Sequence, residues 1–341
     1  MDRITRLLGT ANRSQKIIEL GAGYCPVAPK SGGWQTHVVD HAERDELRTK
    51  YAGAGVDTGL IEEVDTIWRG GPLHEAVPPI LSGQVDLIIA SHVLEHIPDL
   101  IGFFQSATRL VRPDGALSVA LPDRRYCFDC LKPWTTTGDL LDAHHRDMNR
   151  HSLKTAFNHM AYSATIDGQL AWGPRPVGKP VLMDPFAAAV DTAALFRDQP
   201  DGPYRDYHAW QFTPAGFQLV MLELAALGVS DWRVERLDGP ENFEFFAVLR
   251  RGGAEVSDPV NLQVRRQGLL LAQLAETREQ IDFMLGTAGS PPEGRTDHYE
   301  ELLVRLTDQD NRLREMSETL AWLRAVLRPA RRVWRTLRGK N

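Results

Sequence analysis

The 341-residue chain has little cysteine, no long uncharged apolar run and no strong excess of either charge. Its three cysteines, Cys25, Cys127 and Cys130, are an odd number and too few to staple a chain of this length. That excludes a disulfide scaffold and agrees with a reducing compartment. No stretch approaches the roughly 18 apolar residues of a membrane-spanning helix, and the charged start Met1 to Arg6 is not followed by an apolar signal core. A cytoplasmic protein is the expectation. The formal net charge of -6 offers nucleic acid no general attraction, so no nucleic-acid partner is expected. With 43% hydrophobic and 25% charged residues, the chain has the material for a sizeable globular core.

Strand-like and helix-like runs alternate through the first third. Lys16 to Leu20 (KIIEL) and Thr36 to Val39 (THVV) read as strands joined across a glycine turn, and a weaker third lies around Val64 to Trp68. Val85 to Ala90 (VDLIIA) is apolar and of strand length. Leu100 to Val111 has helical spacing, Pro113-Asp114-Gly115 reads as a turn, and Ala116 to Leu121 reads as another strand. This alternation predicts a parallel sheet covered by helices.

Residues 122–211 loosen into sequence with many Pro, Gly and His residues and two short helical pieces, His151 to Tyr162 and Pro185 to Phe196. They read as an insertion. Thr213-Pro214 then offers an N-cap and a first-turn proline for a helix from Pro214 to Leu227, stopped by Gly228. Trp232 to Leu237 and Phe243 to Leu249, joined by a turn around Asp238-Gly239-Pro240, predict an antiparallel pair closing the sheet edge.

From about Val260 the strand signals disappear. Two helical stretches follow, Leu262 to Leu285 and Tyr299 to Leu327, broken between them by GTAGSPPEGRTD. Leu306, Leu313, Leu320 and Leu327 recur every seventh residue, with Leu302, Gln309, Met316 and Leu323 on the companion positions. Residues 260–327 thus read as coiled-coil-like, within one chain or between copies in a homo-oligomer. The last stretch, 328–341, carries five arginines, a lysine, no acid and Trp334. It reads either as a helix on an anionic membrane surface or as a solvated tail.

Four motifs bear on chemistry. The turn after the first strand, Glu19-Leu20-Gly21-Ala22-Gly23, lets the backbone bend tightly and come close to a ligand. Seventeen residues past Gly23, Asp40 ends the second strand as an acceptor for ribose hydroxyls, so the two together point to an adenosine-type cofactor. Pro26 stands where a nicotinamide dinucleotide fingerprint asks for a third glycine, which speaks against a dehydrogenase.

His92-x-x-Glu95-His96 has the spacing of an inverted zinc-protease motif, but His92 falls at a strand end, Pro98 interrupts soon after, and no third ligand is evident. No metal is expected. Cys127-x-x-Cys130 has no further cysteine pair to complete a zinc site, so two unrelated thiols are expected.

The segments ELGAGYCP, VVDHA, VDLIIASHVLEHIPD and LVRPDGALSVALPDRR resemble the successive motifs of class I S-adenosylmethionine-dependent methyltransferases. The resemblance is strong from Ile17 to Arg125 and looser to Leu249. It implies a Rossmann-like, seven-stranded, mostly parallel sheet with an antiparallel edge, to which the loosened stretch adds an insertion after the fifth strand and the heptads a C-terminal helical, coiled-coil-like tail. S-adenosylmethionine is the implied cofactor. Its implied contacts are Glu19, Gly21, Ala22, Gly23, Asp40, His41, Ser91 and His92.

Residues 1–251 would form this domain, with 122–211 covering the substrate beyond the carboxyl ends of the strands. Methyl transfer to a hydroxyl needs its proton removed. His208 is the first candidate base, followed by Asp123 and His145, and Trp210 and Tyr126 could offer flat surfaces to a sugar ring.

DYHAWQFTP with the closing strands also resembles methyltransferases of bacterial surface-polysaccharide synthesis. That implies a sugar hydroxyl of a glycan as acceptor, with the basic tail at the inner membrane surface. The competing readings are a small-metabolite methyltransferase and a non-catalytic scaffold with a decayed pocket.

Overall fold

A computed structural model describes residues 2–174, 178–198, 205–252 and 259–284. The heptads within 299–327 and the basic stretch 328–341 lie outside the described residues.

Seven strands form one sheet. In chain order they are β1 (Lys16–Leu20), β2 (Gln35–Asp40), β3 (Thr66–Ile67), β4 (Val85–Ser91), β5 (Val111–Pro122) and then, numbered after a two-stranded hairpin in the insertion (β6, Ala164–Thr165; β7, Val181–Leu182), β8 (Trp232–Glu241) and β9 (Glu244–Arg251). The spatial order is β3-β2-β1-β4-β5-β9-β8. The pairings from β3 to β5 are parallel, whereas β9 runs antiparallel to both β5 and β8. The order reverses between β1 and β4, the crevice where open α/β sheets receive ligands.

The central strands are continuous apolar runs because both faces are covered. Ile18, Ile88 and Leu117 join a core with Phe103, Phe104, Phe217 and Met221, while Ile17, Ile89 and Ala120 face a smaller cluster with Leu7 and Val27. The helices are α1 (Arg3–Leu8), α2 (Arg44–Tyr51), α3 (Leu73–Ala76), α4 (Leu100–Leu110), α5 (Thr137–His145), α6 (Leu153–Tyr162), α7 (Phe186–Asp198), α8 (Pro214–Ala226) and α9 (Pro259–Met284).

The capping expected for α8 is present: Thr213 Oγ1 accepts from Gly216 N at 3.2 Å, and Pro214 opens the helix. Three local expectations differ. Pro113-Asp114-Gly115 lies within β5 as an irregularity against β4 rather than as a separating turn. The edge hairpin reverses at Asn242-Phe243, because β8 continues past an irregularity at Asp238 to pair Glu241 with Glu244. Helix α5, with its capping box from Thr136 to Asp139, and the β6-β7 hairpin stand in a region read from sequence as loose, with short helical pieces such as His151 to Tyr162.

Helix α9, where the coiled-coil-like region was expected to begin, packs on α8. Glu276 accepts from Ala215 N at 3.2 Å, Arg266 pairs with Glu223 at 2.7 Å, and Gln273 and Gln280 are buried. Among the described residues no helix is long and apolar enough to cross a membrane.

Candidate active site

The turn after β1 is built on conformation that glycine alone takes easily. Gly21 has φ +62°, and a Cβ there would stand 2.7 Å from Val93 Cγ2. Its N–H donates to Val39 O at 2.9 Å, which holds the end of β1 against β2. Gly23 continues the turn with φ +47°, and Cys25 N closes it on Ala22 O at 3.1 Å. Glu19 is buried, and its carboxylate accepts from Val27 N at 2.6 Å and Ala28 N at 2.9 Å. Burial raises its pKa against the pull of those two amides. Glu19 therefore folds the loop instead of facing a ligand.

A cavity of about 530 Å³ opens beyond this turn, lined by Gly21, Asp40 and His41 from the first two strand ends, and by Tyr51, Trp68, His92 and His96. Asp40 is buried, and both bonds from His41, backbone and ring, fall on its Oδ1 at 2.7 Å. Ala22, Gly23 and Ser91 do not line this cavity.

Ser91 and His92 are instead wired to the far ends of the chain. Arg3 Nη2 donates to Ser91 Oγ at 2.5 Å, and Arg3 Nε pairs with Glu244 at 2.9 Å. Glu244 in turn meets His92 Nε2 at 2.8 Å. His92 sits at φ +53°, and its N–H donates to Ala120 O at 2.9 Å. Burial works against the imidazolium, but Glu244 and Glu95 outweigh it and raise the His92 pKa to about 9. No local sequence signal could have shown these partners, since Arg3 and Glu244 lie at opposite ends of the domain.

After β4 the chain forms a short turn, Leu94–His96, rather than an α-helix. The insertion closes over it. Glu95 O accepts from Ala209 N at 2.7 Å and Trp210 N at 3.3 Å, and Trp210 Nε1 donates to Ile97 O at 2.6 Å. This brings His208 beside His96, with ring centroids 4.6 Å apart at 86°. His208 Nδ1 is 2.5 Å from Asp129 Oδ2, and Asp129 Oδ1 accepts from Lys132 Nζ at 2.6 Å. The buried Asp129 is held well below the usual carboxylate range: His208 and Lys132 overcome the opposing effect of burial. An imidazole oriented by a buried carboxylate is the arrangement of a general base.

A second cavity of about 380 Å³ lies on the other side of this wall, lined by Trp134, Asp139, Arg146, Lys154, His208 and Trp210 among others. His96 faces the first cavity and His208 the second.

Two expected bases are placed elsewhere. Asp123 is wholly buried and its carboxylate is spent on Arg125, at 2.9 and 2.7 Å. His145 is exposed at the end of α5 and lines neither cavity. Tyr126 packs in a small cluster with Cys130 and Trp172. Cys127 and Cys130 are both free thiols whose pKa values burial raises, Cys130 to about 11. Asp129 and Asp206 are the functional candidates absent from the sequence reading, and His96, weighed there only as a metal ligand, joins them. The signal for Asp129 was within reach, in the CFDC string read there only for its cysteines.

Residues 1–164 match the family model described as a methyltransferase domain. No curated protein matches the chain. Among solved structures, the chain is similar to the mitomycin 7-O-methyltransferase MmcR, with 14% identity and a TM-score of 0.35 over 73% of this chain and 53% of that one. It thus spans about half the length of that enzyme. An S-adenosylmethionine-dependent methyltransferase from Mesorhizobium loti shares 12% identity over 70% of this chain and 91% of its own, with a TM-score of 0.34. A Burkholderia thailandensis 1,6-didemethyltoxoflavin N1-methyltransferase shares 12% over 73% and 76%, with a TM-score of 0.35.

Proposed function

We propose that this chain is an S-adenosylmethionine-dependent methyltransferase that carries the sulfonium methyl to a hydroxyl of a sugar in a glycan or polysaccharide precursor. The observation that carries the reading is the shared wall: an imidazole held by a buried carboxylate, His208 on Asp129, stands between a cavity headed by Gly21 and Asp40 and a second cavity on the insertion side.

The cofactor would lie in the first cavity, with its ribose hydroxyls on Asp40, whose Oδ1 already holds His41. Gly21 would pass close to the methionine part, and Trp68 would offer adenine a flat face. His41 and His92 would border it, while Glu19, Ala22, Gly23 and Ser91 would act by shaping the loops that do.

The second cavity supports a sugar acceptor. Trp134 and Trp210 supply aromatic surface, and Asp139, Asp142, Lys154 and Asn158 supply hydroxyl partners. Methyl transfer is an in-line displacement: the oxygen's electron pair forms the new C–O bond as the C–S pair returns to sulfur. The hydroxyl must shed its proton as this happens, and His208 is the residue on which we place that step.

Around this core we keep two further proposals: self-association through residues 260–327, and contact of the basic stretch 328–341 with the inner membrane surface near membrane-bound synthesis. Both would serve a cytoplasmic enzyme whose acceptor grows at that surface.

The test is transfer of labelled methyl from S-adenosylmethionine onto a panel of glycans and small hydroxylated metabolites. Glycan labelling that falls about 100- to 10,000-fold in kcat with His208→Gln, while cofactor binding persists, is the expected result. Labelling of small metabolites alone would overturn the glycan acceptor, and an unchanged rate in the variant would overturn the role of His208.

A further inference from the structure

Glu95 is 1% exposed, and its carboxylate is met by imidazoles, the charged ring of His92 among them, rather than by any backbone amide or hydroxyl. A buried carboxylate left that way costs several kcal/mol unless a positive charge stands against it. Its nearest nitrogens belong to imidazoles: His92 Nδ1 at 3.4 Å and His96 Nε2 at 4.0 Å from Oε1. His208 completes the group, for one ligand atom each from Glu95, His96 and His208 all fall within 4.8 Å of one another.

The far side of each ring is also occupied in a telling way. His96 Nδ1 lies 2.8 Å from Asp206 Oδ1, and His208 Nδ1 lies 2.5 Å from Asp129 Oδ2. A carboxylate hydrogen-bonded at Nδ1, as Asp129 is at His208, orients the ring and leaves Nε2 for an ion, the outer-shell pattern found behind metal-bound histidines, and Asp206 stands against the same nitrogen of His96 as an ion-pair contact. His92 differs, because its Nε2 is already taken by Glu244 at 2.8 Å.

From this geometry we infer that Glu95, His96 and His208 form a binding site for a divalent transition-metal cation in the wall between the two cavities. Two imidazoles and one carboxylate suit zinc, iron(II) or cobalt(II), whereas magnesium and calcium prefer oxygen donors throughout. Ligand atoms on one tetrahedral ion stand about 3.4 Å apart, so occupancy asks the side chains to close by about 1 Å. His96 lines the first cavity and His208 the second, so the site would lie where the two meet.

The inference rests on the proposed methyl transfer only for what the ion would do, and it gives His208 a different part: with Nδ1 on Asp129 and Nε2 on an ion, the ring would be a ligand and not the base. An ion there would make a coordinated hydroxyl more acidic, so that its proton would pass to solvent while the oxygen's pair attacked the methyl. The site itself stands on the buried carboxylate and the paired imidazoles alone.

The probe is cobalt(II), added to full-length, metal-stripped protein and followed by visible absorption. Saturation at one equivalent, with displacement by zinc(II), is expected. His96→Gln, a partly exposed change that spares the core, should weaken binding at least tenfold, and Asp129→Asn about ten- to hundredfold. His92→Gln should leave cobalt bound. Wild-type protein that takes up S-adenosylmethionine by calorimetry but gives no cobalt spectrum would overturn the metal site while leaving methyl transfer standing. Cobalt binding indifferent to both His96→Gln and Glu95→Gln would overturn it equally.

Discussion

Gly21 is the residue on which the first cavity turns. Its left-handed φ of +62° and the 2.7 Å approach of Val93 to a would-be Cβ act together, so Gly21→Ala must move either the turn or the strand end behind it. A loss of at least about 1 kcal/mol is expected, read as a lower urea midpoint at constant slope. Asp40 tests the ligand rather than the turn. Asp40→Ala should weaken S-adenosylmethionine binding about ten- to hundredfold in calorimetry, because it removes a charged acceptor, while the circular dichroism spectrum stays that of the parent. Wild-type affinity would show that the ribose lies elsewhere.

His151 carries an expectation about acid. Burial, and then the charge of His96, push its pKa down from 6.5 to about 4 in the folded chain. The unfolded chain, with its ordinary histidine near 6.5, therefore binds the proton more readily between those two values. Stability is full above about pH 6.5 and falls by on the order of 3 kcal/mol as the pH drops toward 4. His151→Gln should flatten that limb in denaturant titrations across the same window. A slope unchanged by the substitution would assign the acid loss to other groups.

Among elements, α9 changes how the C-terminal region has to be cut. Because Glu276 reaches the first turn of α8 and Gln280 Nε2 donates to Cys130 O at 2.9 Å, a deletion beginning at Val260 removes part of the folded domain along with the tail. Truncation after Arg251 should cost on the order of 2 kcal/mol, seen as a drop of about 4–8 °C in the melting midpoint. An unchanged midpoint would mean the docking of α9 adds nothing. A deletion meant to test membrane contact or self-association should start beyond Met284.

The same elements show what sequence can carry. The runs KIIEL and VDLIIA announce buried parallel strands by composition, and Thr213-Pro214 announces α8 by its cap, because in each case the cause is local. The turn Leu94–His96 is harder, because three residues are too few for any periodicity to separate a helix from a single turn. Helix α9 was legible as a helix but not as a docked one, since its contacts with Ala215, Glu223 and Cys130 cross long stretches of chain.

At the scale of the whole molecule, the cavity proposed for the cofactor is the more readable because its residues follow strand ends in order: Gly21 after β1, Asp40 at the end of β2, His92 after β4. The wall toward the proposed acceptor cavity is not, because Glu95, Asp129 and His208 come together only once the insertion folds back over the sheet. Spacing around His92-x-x-Glu95-His96 shows no third ligand, because the residue that the fold sets beside Glu95 and His96 is His208, more than a hundred residues downstream.

That wall is fastened by backbone, with Glu95 O receiving the amides of both Ala209 and Trp210. The insertion is therefore tied to the turn after β4, and the two cavities have only Pro98 in common among their lining residues. With the proposed cofactor in one and the proposed acceptor in the other, neither would have to wait for the other to enter or leave. Initial-rate kinetics should accordingly follow a random sequential scheme, with each product competing only against the substrate whose chamber it vacates; strict ordering would mean that this fastening opens during turnover.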